Sequence, residues 1–414
     1  MDGDPAIESE LDSFSLTFPL PYRVAFIIVL AVWGWGLNLH HLYNLNIDVP
    51  SLIRYPQRPS ASHPPHHRST YRLATVLSAT FALSILTFWL FSHRDPRLVV
   101  YYDWLPMSYL LVLALLFVLP LRRLSLSHGG RSRLVATLRR VAVGGLAQAS
   151  DGKFADILLA DVLTSYAKVM GDLYACVCMM FLSGAGGSAT GRPDRNCGGR
   201  VLVPLIMALP YLIRLRQCLT EFARVRAAPY KEATGWGGQH LANAAKYATS
   251  FPVIALSAMQ RSLPAEGPGA ARGPGLYRAW VAACLVNSLY SFYWDVAKDW
   301  DLTLFSPPRE RGSPEHAFGL RRRLVVGGPA LYYLVIAVDL MLRCTWSLKL
   351  SPHLDHMADF ESSIFLIEFL EVFRRWVWIF FRVETEWLRN ANTGVGVDDI
   401  LLGDYQGKYE DEDE

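Results

Sequence analysis

Nine stretches of about 20 mainly apolar residues follow one another along this chain, and about that length of helix is needed to cross a bilayer's hydrocarbon core. They fall at 22–40, 71–91, 104–120, 154–182, 201–219, 241–259, 277–296, 329–348 and 362–381. Inside lipid every backbone N–H and C=O must find an internal partner, so repeated apolar stretches can only be helices or a closed barrel. Stretches this long and this poor in strict alternation predict an all-α fold, a polytopic transmembrane helical bundle. A further segment, 131–146, is basic and amphipathic. It reads as a short tenth span or as a helix lying in the membrane interface, which gives about nine to ten spans.

Basic residues give an orientation, because cytosolic loops are enriched in Lys and Arg. Residues 214–231 carry Arg214, Arg216, Arg224, Arg226 and Lys231, and residues 298–323 carry Lys298, Arg309, Arg311, Arg321, Arg322 and Arg323. Both segments are expected in the cytosol. The loops 183–200 and 351–361 are poorer in basic residues and are expected on the lumenal or exterior side. The acidic tail, 393–414, then lies in the cytosol, and so does the short N-terminus, 1–21, if 131–146 crosses. Residues 1–18 lack the basic start of a signal peptide, so the first span is expected to stay as an anchor. The Gly- and Pro-rich segments 183–199 and 262–275 read as turns, and the His-containing 60–67 as a plain loop rather than a metal site.

A net charge of +3 gives no reason to expect a nucleic-acid partner. Of the six cysteines, five lie in apolar segments and Cys197 in a polar loop, with no CxxC. That distribution predicts buried free thiols, with neither a disulfide framework nor a zinc site.

The informative residues are the charges inside the apolar spans. Each costs about 2.5–3.5 kcal/mol on insertion scales, so it persists where a partner or a wet cavity receives it. Asp161, Ser165, Lys168 and Asp172 step by four, three and four, which places them on one face of a helix. Lys246 and Tyr247 sit in one span, and Asp295 and Asp299 end another, four apart. Asp339 and Arg343 are also four apart, with Trp346 three further on. Glu368, Glu371, Arg374 and Arg375 occupy the middle of an aromatic span. Guanidinium groups match a tetrahedral oxyanion bidentately, and an ammonium adds a point charge. The carboxylates would hold these cations in place and offset their charge when the site is empty. The pattern reads as a pocket or path for a small anion. The chain has no Rossmann fingerprint, P-loop, GxSxG or HExxH, and no nucleophile–base pair stands out, so neither an enzyme nor a cofactor is expected.

Five segments resemble the EXS family: FADILLAD at 154–161, RQCL at 216–219, NAAKYAT at 243–249, WDVAKDW at 294–300 and LEVFRRWVW at 370–378, the last continued by RVETE. The resemblance covers about residues 150–392, which makes 22–150 a set of front helices and 151–392 the EXS transmembrane domain. The family includes phosphate exporters with a soluble sensor domain and a short fungal Golgi type without one. This chain, with about 20 residues before its first span, looks like the short type. That likeness implies a Golgi membrane protein, able to cycle with the ER, that returns inorganic phosphate from lumen to cytosol. It also implies support for glycosylation and for retention of lumenal ER proteins and Golgi glycosyltransferases. Partners implied are phosphate, lipid, glycosyltransferases or coat proteins, and a second copy of the chain. Carried over motif by motif, Asp161, Lys246, Tyr247, Asp295, Asp299, Arg343, Trp346, Glu371, Arg374 and Arg375 would line the phosphate path. Arg226, Lys168 and Asp172 are weaker candidates. Thr164 stands where the family often has Asn.

The alternative is a sorting factor that transports nothing. Its loops would bind coat components or glycosyltransferase tails, and its buried charges would only lock helices together.

Overall fold

The protein is represented by a computed structural model that describes residues 11–54, 66–119, 127–148, 151–182, 187–227, 237–262, 273–308, 318–350 and 360–393. Its elements are α1 (Ser13–Thr17), α2 (Leu20–Asn44), α3 (Val49–Leu52), α4 (His66–Ser92), α5 (Pro96–Tyr101), α6 (Trp104–Val118), α7 (His128–Ala142), α8 (Lys153–Ser165) and α9 (Ala167–Phe181). They continue with α10 (Leu202–Ala227), α11 (Gly238–Ala248), α12 (Ser250–Ser262), α13 (Gly273–Trp294), a π turn (Asp295–Asp299), α14 (Pro329–Arg343), a 3-10 turn (Thr345–Leu350) and α15 (Glu361–Thr393). No strand occurs among the described residues, so the all-α expectation holds. The tail, most of the 60–67 loop and most of the 351–361 loop lie outside the described residues.

Among the described residues, four stretches are both long and apolar enough to cross a bilayer by themselves: Leu20–Asn44, His66–Ser92, Pro96–Val118 and Leu202–Ala227. The first is the pivot of the bundle. It lacks a side chain at Gly34, where a Cβ would come within 2.8 Å of Trp376, and at Gly36, where one would come within 2.9 Å of Tyr71. Close approach at these two glycines seats α15 on one flank of α2 and α4 on another. The Trp376 indole then donates to the Gly34 carbonyl at 2.9 Å.

The other predicted spans are helical but interrupted or charged. The 154–182 span breaks at Tyr166, whose N–H reaches back only three residues, to the Leu163 carbonyl. The 241–259 span breaks at Thr249. There the Thr249 hydroxyl donates to its own helix, at the Lys246 carbonyl, or to Asn287 of α13. Three residues further on, Pro252 has no N–H to give the Ala248 carbonyl. In lipid such breaks survive only where protein partners re-satisfy the freed groups.

Contacts at the helix ends define two sides. On one side Trp89, ending α4, donates to the Thr17 carbonyl at 2.7 Å. On that side too, Thr190 donates to the Val99 carbonyl of α5 at 2.7 Å, and Arg23 and Arg195 share Glu361. On the other side His40 meets Tyr71 at 3.2 Å, Arg131 caps the Leu116 and Leu119 carbonyls, and Arg321 binds Glu384. The described chain thus traverses the bundle nine times: α2, α4, α5–α6, α8–α9, α10, α11–α12, α13, α14 with its 3-10 turn, and α15.

Of the two readings of 131–146, a short span or an interfacial helix, the structure favours the second. The 131–146 segment becomes α7, whose 15 residues rise about 22 Å, short of the roughly 30 Å hydrocarbon core. It packs against the ends of α6 and α8 and exposes Leu134, Val135 and Leu138, as an interfacial helix does. An odd number of passes then separates the described start of the chain from the end of α15. Residues 11–23 lie at the same end of the bundle as residues 187–200, where Arg23 and Arg195 share Glu361.

The cysteine expectation is also corrected. Cys178 of α9 and Cys197 form a disulfide, 19 residues apart. A helix brings its own end back against the following loop, a proximity that no sequence spacing announced. Disulfides persist in oxidising compartments, so the bridge agrees with a lumenal or exterior place for this loop. Replacing both cysteines by serine is expected to lower stability by about 3 kcal/mol, as for a closed loop of this length. Thermal unfolding in detergent, with and without reductant, checks this: reductant should lower the wild-type midpoint and leave the double variant unchanged.

Candidate functional site

Six helical segments converge on one ionic cluster. Asp161, in the last turns of α8, accepts from Arg214 Nε of α10 at 2.7 Å and from the Tyr247 hydroxyl of α11. The same guanidinium reaches Gln217 at 2.7 Å. The π turn ending α13 presents Asp295 and Asp299, and π turns are frequent at functional sites because they re-aim side chains. Asp295 pairs with Arg343 of α14 and lies 3.3 Å from Arg374 of α15. Arg343 also meets Asp339 at 3.1 Å, one turn back. Arg374 binds Glu371 through two nitrogens, at 2.7 and 3.0 Å, and Asp339 at 2.9 Å.

Lys246 and Asp299 are held less tightly. The Lys246 ammonium sits over the Tyr247 ring at 4.7 Å and the Trp294 ring at 5.5 Å, and is 3.7 Å from Asp299 Oδ2. That oxygen is buried with no hydrogen-bond donor.

Arg375 differs from the other guanidinium groups of the cluster. It is 8% exposed, and its bonded partners are the hydroxyls of Ser165 at 2.9 Å and Thr164 at 3.3 Å. Its Cζ lies 4.5 Å from the Trp378 ring centre. Among the described residues it pairs with no carboxylate. The Ser165 hydroxyl donates a hydrogen bond to Glu371 at 2.7 Å, so its oxygen lone pairs are left facing Arg375. In total Arg214, Lys246, Arg343, Arg374 and Arg375 face Asp161, Asp295, Asp299, Asp339 and Glu371, five cations against five carboxylates.

Most of the residues singled out in the sequence meet here: Asp161, Lys246, Tyr247, Asp295, Asp299, Arg343, Glu371, Arg374 and Arg375. Trp346 is adjacent but props the site instead of lining it. Its indole donates to Ser288 at 3.0 Å, and Ser288 donates to the Arg343 carbonyl at 3.0 Å. Arg226 is exposed at the end of α10 and takes no part.

The Asp161–Asp172 stripe is divided. The turn at Tyr166 rotates α9, so Lys168 is exposed and Asp172 faces away from the cluster. Asp172 instead receives Arg195 at 2.9 and 3.1 Å, and Arg195 bridges to Glu361 at 2.9 Å. Burial alone would lower the Arg195 pKa, but the two carboxylates outweigh it and hold the guanidinium above its ordinary range.

Arg214 was placed by sequence in a cytosolic loop. It lies in α10 at 2% exposure, at the heart of the cluster. The signal was present in its three-residue step to Gln217, which puts both on the face that meets α8 and α11. Asp339 was visible as the i, i+4 partner of Arg343 but not as a partner of Arg374.

The fold and site together define a many-pass helical membrane protein with a charge-balanced core at the junction of broken helices. The EXS family pattern matches residues 18–388, and the chain belongs to the EXS family. The match takes in α2–α7 as well as the later region from 150 to 388. Among its relatives, Protein ERD1 homolog 1 of Schizosaccharomyces pombe is 31% identical over 387 residues, covering 92% of this chain and 94% of the relative. Protein ERD1 of Kluyveromyces lactis is 31% identical over 246 residues, 58% of this chain and 60% of the relative. Human Solute carrier family 53 member 1 is 26% identical over 397 residues, 92% of this chain but 52% of the relative, so this chain spans about half of that protein's length.

Proposed function

We propose that this protein is a Golgi phosphate transporter or channel that returns inorganic phosphate from lumen to cytosol. In doing so it supports glycosylation and the retention of lumenal ER proteins and Golgi glycosyltransferases. The observation that carries the reading is Arg375, a buried guanidinium held by hydroxyls where its neighbours are held by carboxylates. A buried cation costs several kcal/mol unless compensated, and an oxyanion seated against the Arg375 guanidinium would supply that compensation. Planar, bidentate donation suits a phosphate oxygen pair. Lys246, held mainly by ring faces, is free to swing toward the same anion. Arg343 and Arg374 are committed to carboxylates and would shape the path more than bind the anion. Similarity to a solute carrier over 92% of the chain supports a transport role. The reading is of a conduit, with no catalytic step.

The pairing of Arg214, Arg343 and Arg374 with carboxylates across helices favours a second reading, the sorting factor whose charges only lock the bundle. Reconstitution into liposomes loaded with labelled phosphate separates the two. The wild type is expected to release phosphate, and Lys246→Ala to slow release about tenfold, the loss of one charge-assisted hydrogen bond, while remaining folded. Arg343→Ala should also lower flux, together with stability. Absence of wild-type flux, or normal glycosylation in cells carrying a flux-dead Lys246→Ala protein, would overturn the transport reading.

A further inference from the structure

The five carboxylates of the cluster are not equivalent. Asp161 accepts from a guanidinium and a phenol, Asp295 and Asp339 from two guanidinium groups each, and Glu371 from Arg374 twice and from Ser165. Among the described residues, Asp299 has only the 3.7 Å contact from Lys246, to an oxygen that no donor reaches. The charged groups around it are Lys246 of α11, Asp295 of its own turn, Asp161 of α8, and Arg382 of α15, itself bound to Glu386 at 2.8 Å.

The cluster is neutral when empty. Admitting a monoanion leaves one uncompensated negative charge in a site shielded from water, which is costly. It also draws Lys246 toward the anion and away from Asp299. Of the five carboxylates, Asp299 then has the least to lose on protonation, because it forfeits no strong hydrogen bond.

We infer that Asp299 takes up a proton when the anion enters and gives it up when the anion leaves, so that the protein carries a proton with each oxyanion. This rests on the phosphate reading above. The proton comes from water on the anion's entry side, adds to an Asp299 carboxylate oxygen, and returns to water on the exit side. No other bond is made or broken.

The test is phosphate flux in liposomes as the donor-side pH is taken from neutral to mildly acidic, for the wild type, Asp299→Asn and Asp299→Glu. Phosphate's own ionisation changes alike in all three, so each variant's profile is divided by that of the wild type. A single coupled proton gives the wild type a rise of at most about tenfold per pH unit beyond that of the variant. Asp299→Asn, permanently uncharged, is expected to keep flux at acidic pH and lose the extra dependence. Asp299→Glu is expected to keep it. An Asp299→Asn protein that is monodisperse and follows the wild-type profile overturns the proton step while leaving phosphate transport intact. If Asp299→Asn does not fold, an Asp299→Glu profile that keeps the wild-type dependence supports the step, and a flat Asp299→Glu profile overturns it. Wild-type protein without phosphate flux at any pH overturns both readings.

Discussion

Arg375→Ala is expected to cut phosphate flux by about 10- to 100-fold in a protein that still folds. The estimate is the loss of charge-assisted hydrogen bonds to an anion, about 1.5–3 kcal/mol. Folding should survive because Arg375 leaves no carboxylate unpaired when it goes. Its partners are the hydroxyls of Ser165 and Thr164, and Ser165 keeps its bond to Glu371. Arg375→Lys should recover only part of the loss, because an ammonium keeps the charge but cannot donate two parallel bonds. Liposome flux measured beside thermal unfolding in detergent checks both. Unchanged flux in Arg375→Lys would remove the bidentate geometry, and unchanged flux in Arg375→Ala would remove Arg375 from the path.

Arg374→Ala should behave in the opposite way, although the residue is next in sequence. Its guanidinium serves Glu371 of its own helix, Asp339 of α14 and Asp295 of the π turn. Removing it leaves three carboxylates facing one another, Asp295 and Asp339 fully buried and Glu371 partly so, with Arg343 the remaining guanidinium for the buried two. Breaking a buried ionic network by deleting one partner costs about 3–5 kcal/mol, a large part of a domain's net stability. The expected result is a large fall in the unfolding midpoint and in yield. An Arg374→Ala protein with wild-type stability and reduced flux would mean that Arg374 is a ligand and not a brace.

The contrast between these adjacent arginines shows how far the chain could be read without its fold. Both were recognisable as cations in an apolar span, since a charge there stands out against its neighbours. Consecutive helical residues point about 100° apart, however, so they face different helices, and the identity of those helices is a tertiary fact. Arg214 shows the same limit from the other direction. It stood at the end of an apolar run beside Arg216, Arg224 and Arg226, and the local average marked the whole segment as a cytosolic loop. Only the packing of α10 on α8 and α11 brought it onto Asp161. Arg226, with a similar local setting, stayed exposed.

The stripe of Asp161, Ser165, Lys168 and Asp172 failed for a geometric reason. Helical periodicity carries over a span only while the helix continues, and one shortened turn at Tyr166 sent Asp172 to Arg195 and Lys168 to the outside. The Cys178–Cys197 bridge was hidden because loop closure depends on where the end of a helix returns.

Hydrophobic length and backbone hydrogen-bonding requirements act locally. For that reason the amino-acid order alone was enough to determine a helical membrane bundle, its approximate spans, and most of the charges that must find company inside it. Pairing is non-local. Which cation meets which carboxylate, which helices break to allow it, on which side the described start of the chain lies, and which arginine and which aspartate are left least satisfied were decided only when the helices packed. At that point each buried charge competed for a finite set of neighbours, and Arg375 and Asp299 were left with the weakest partners.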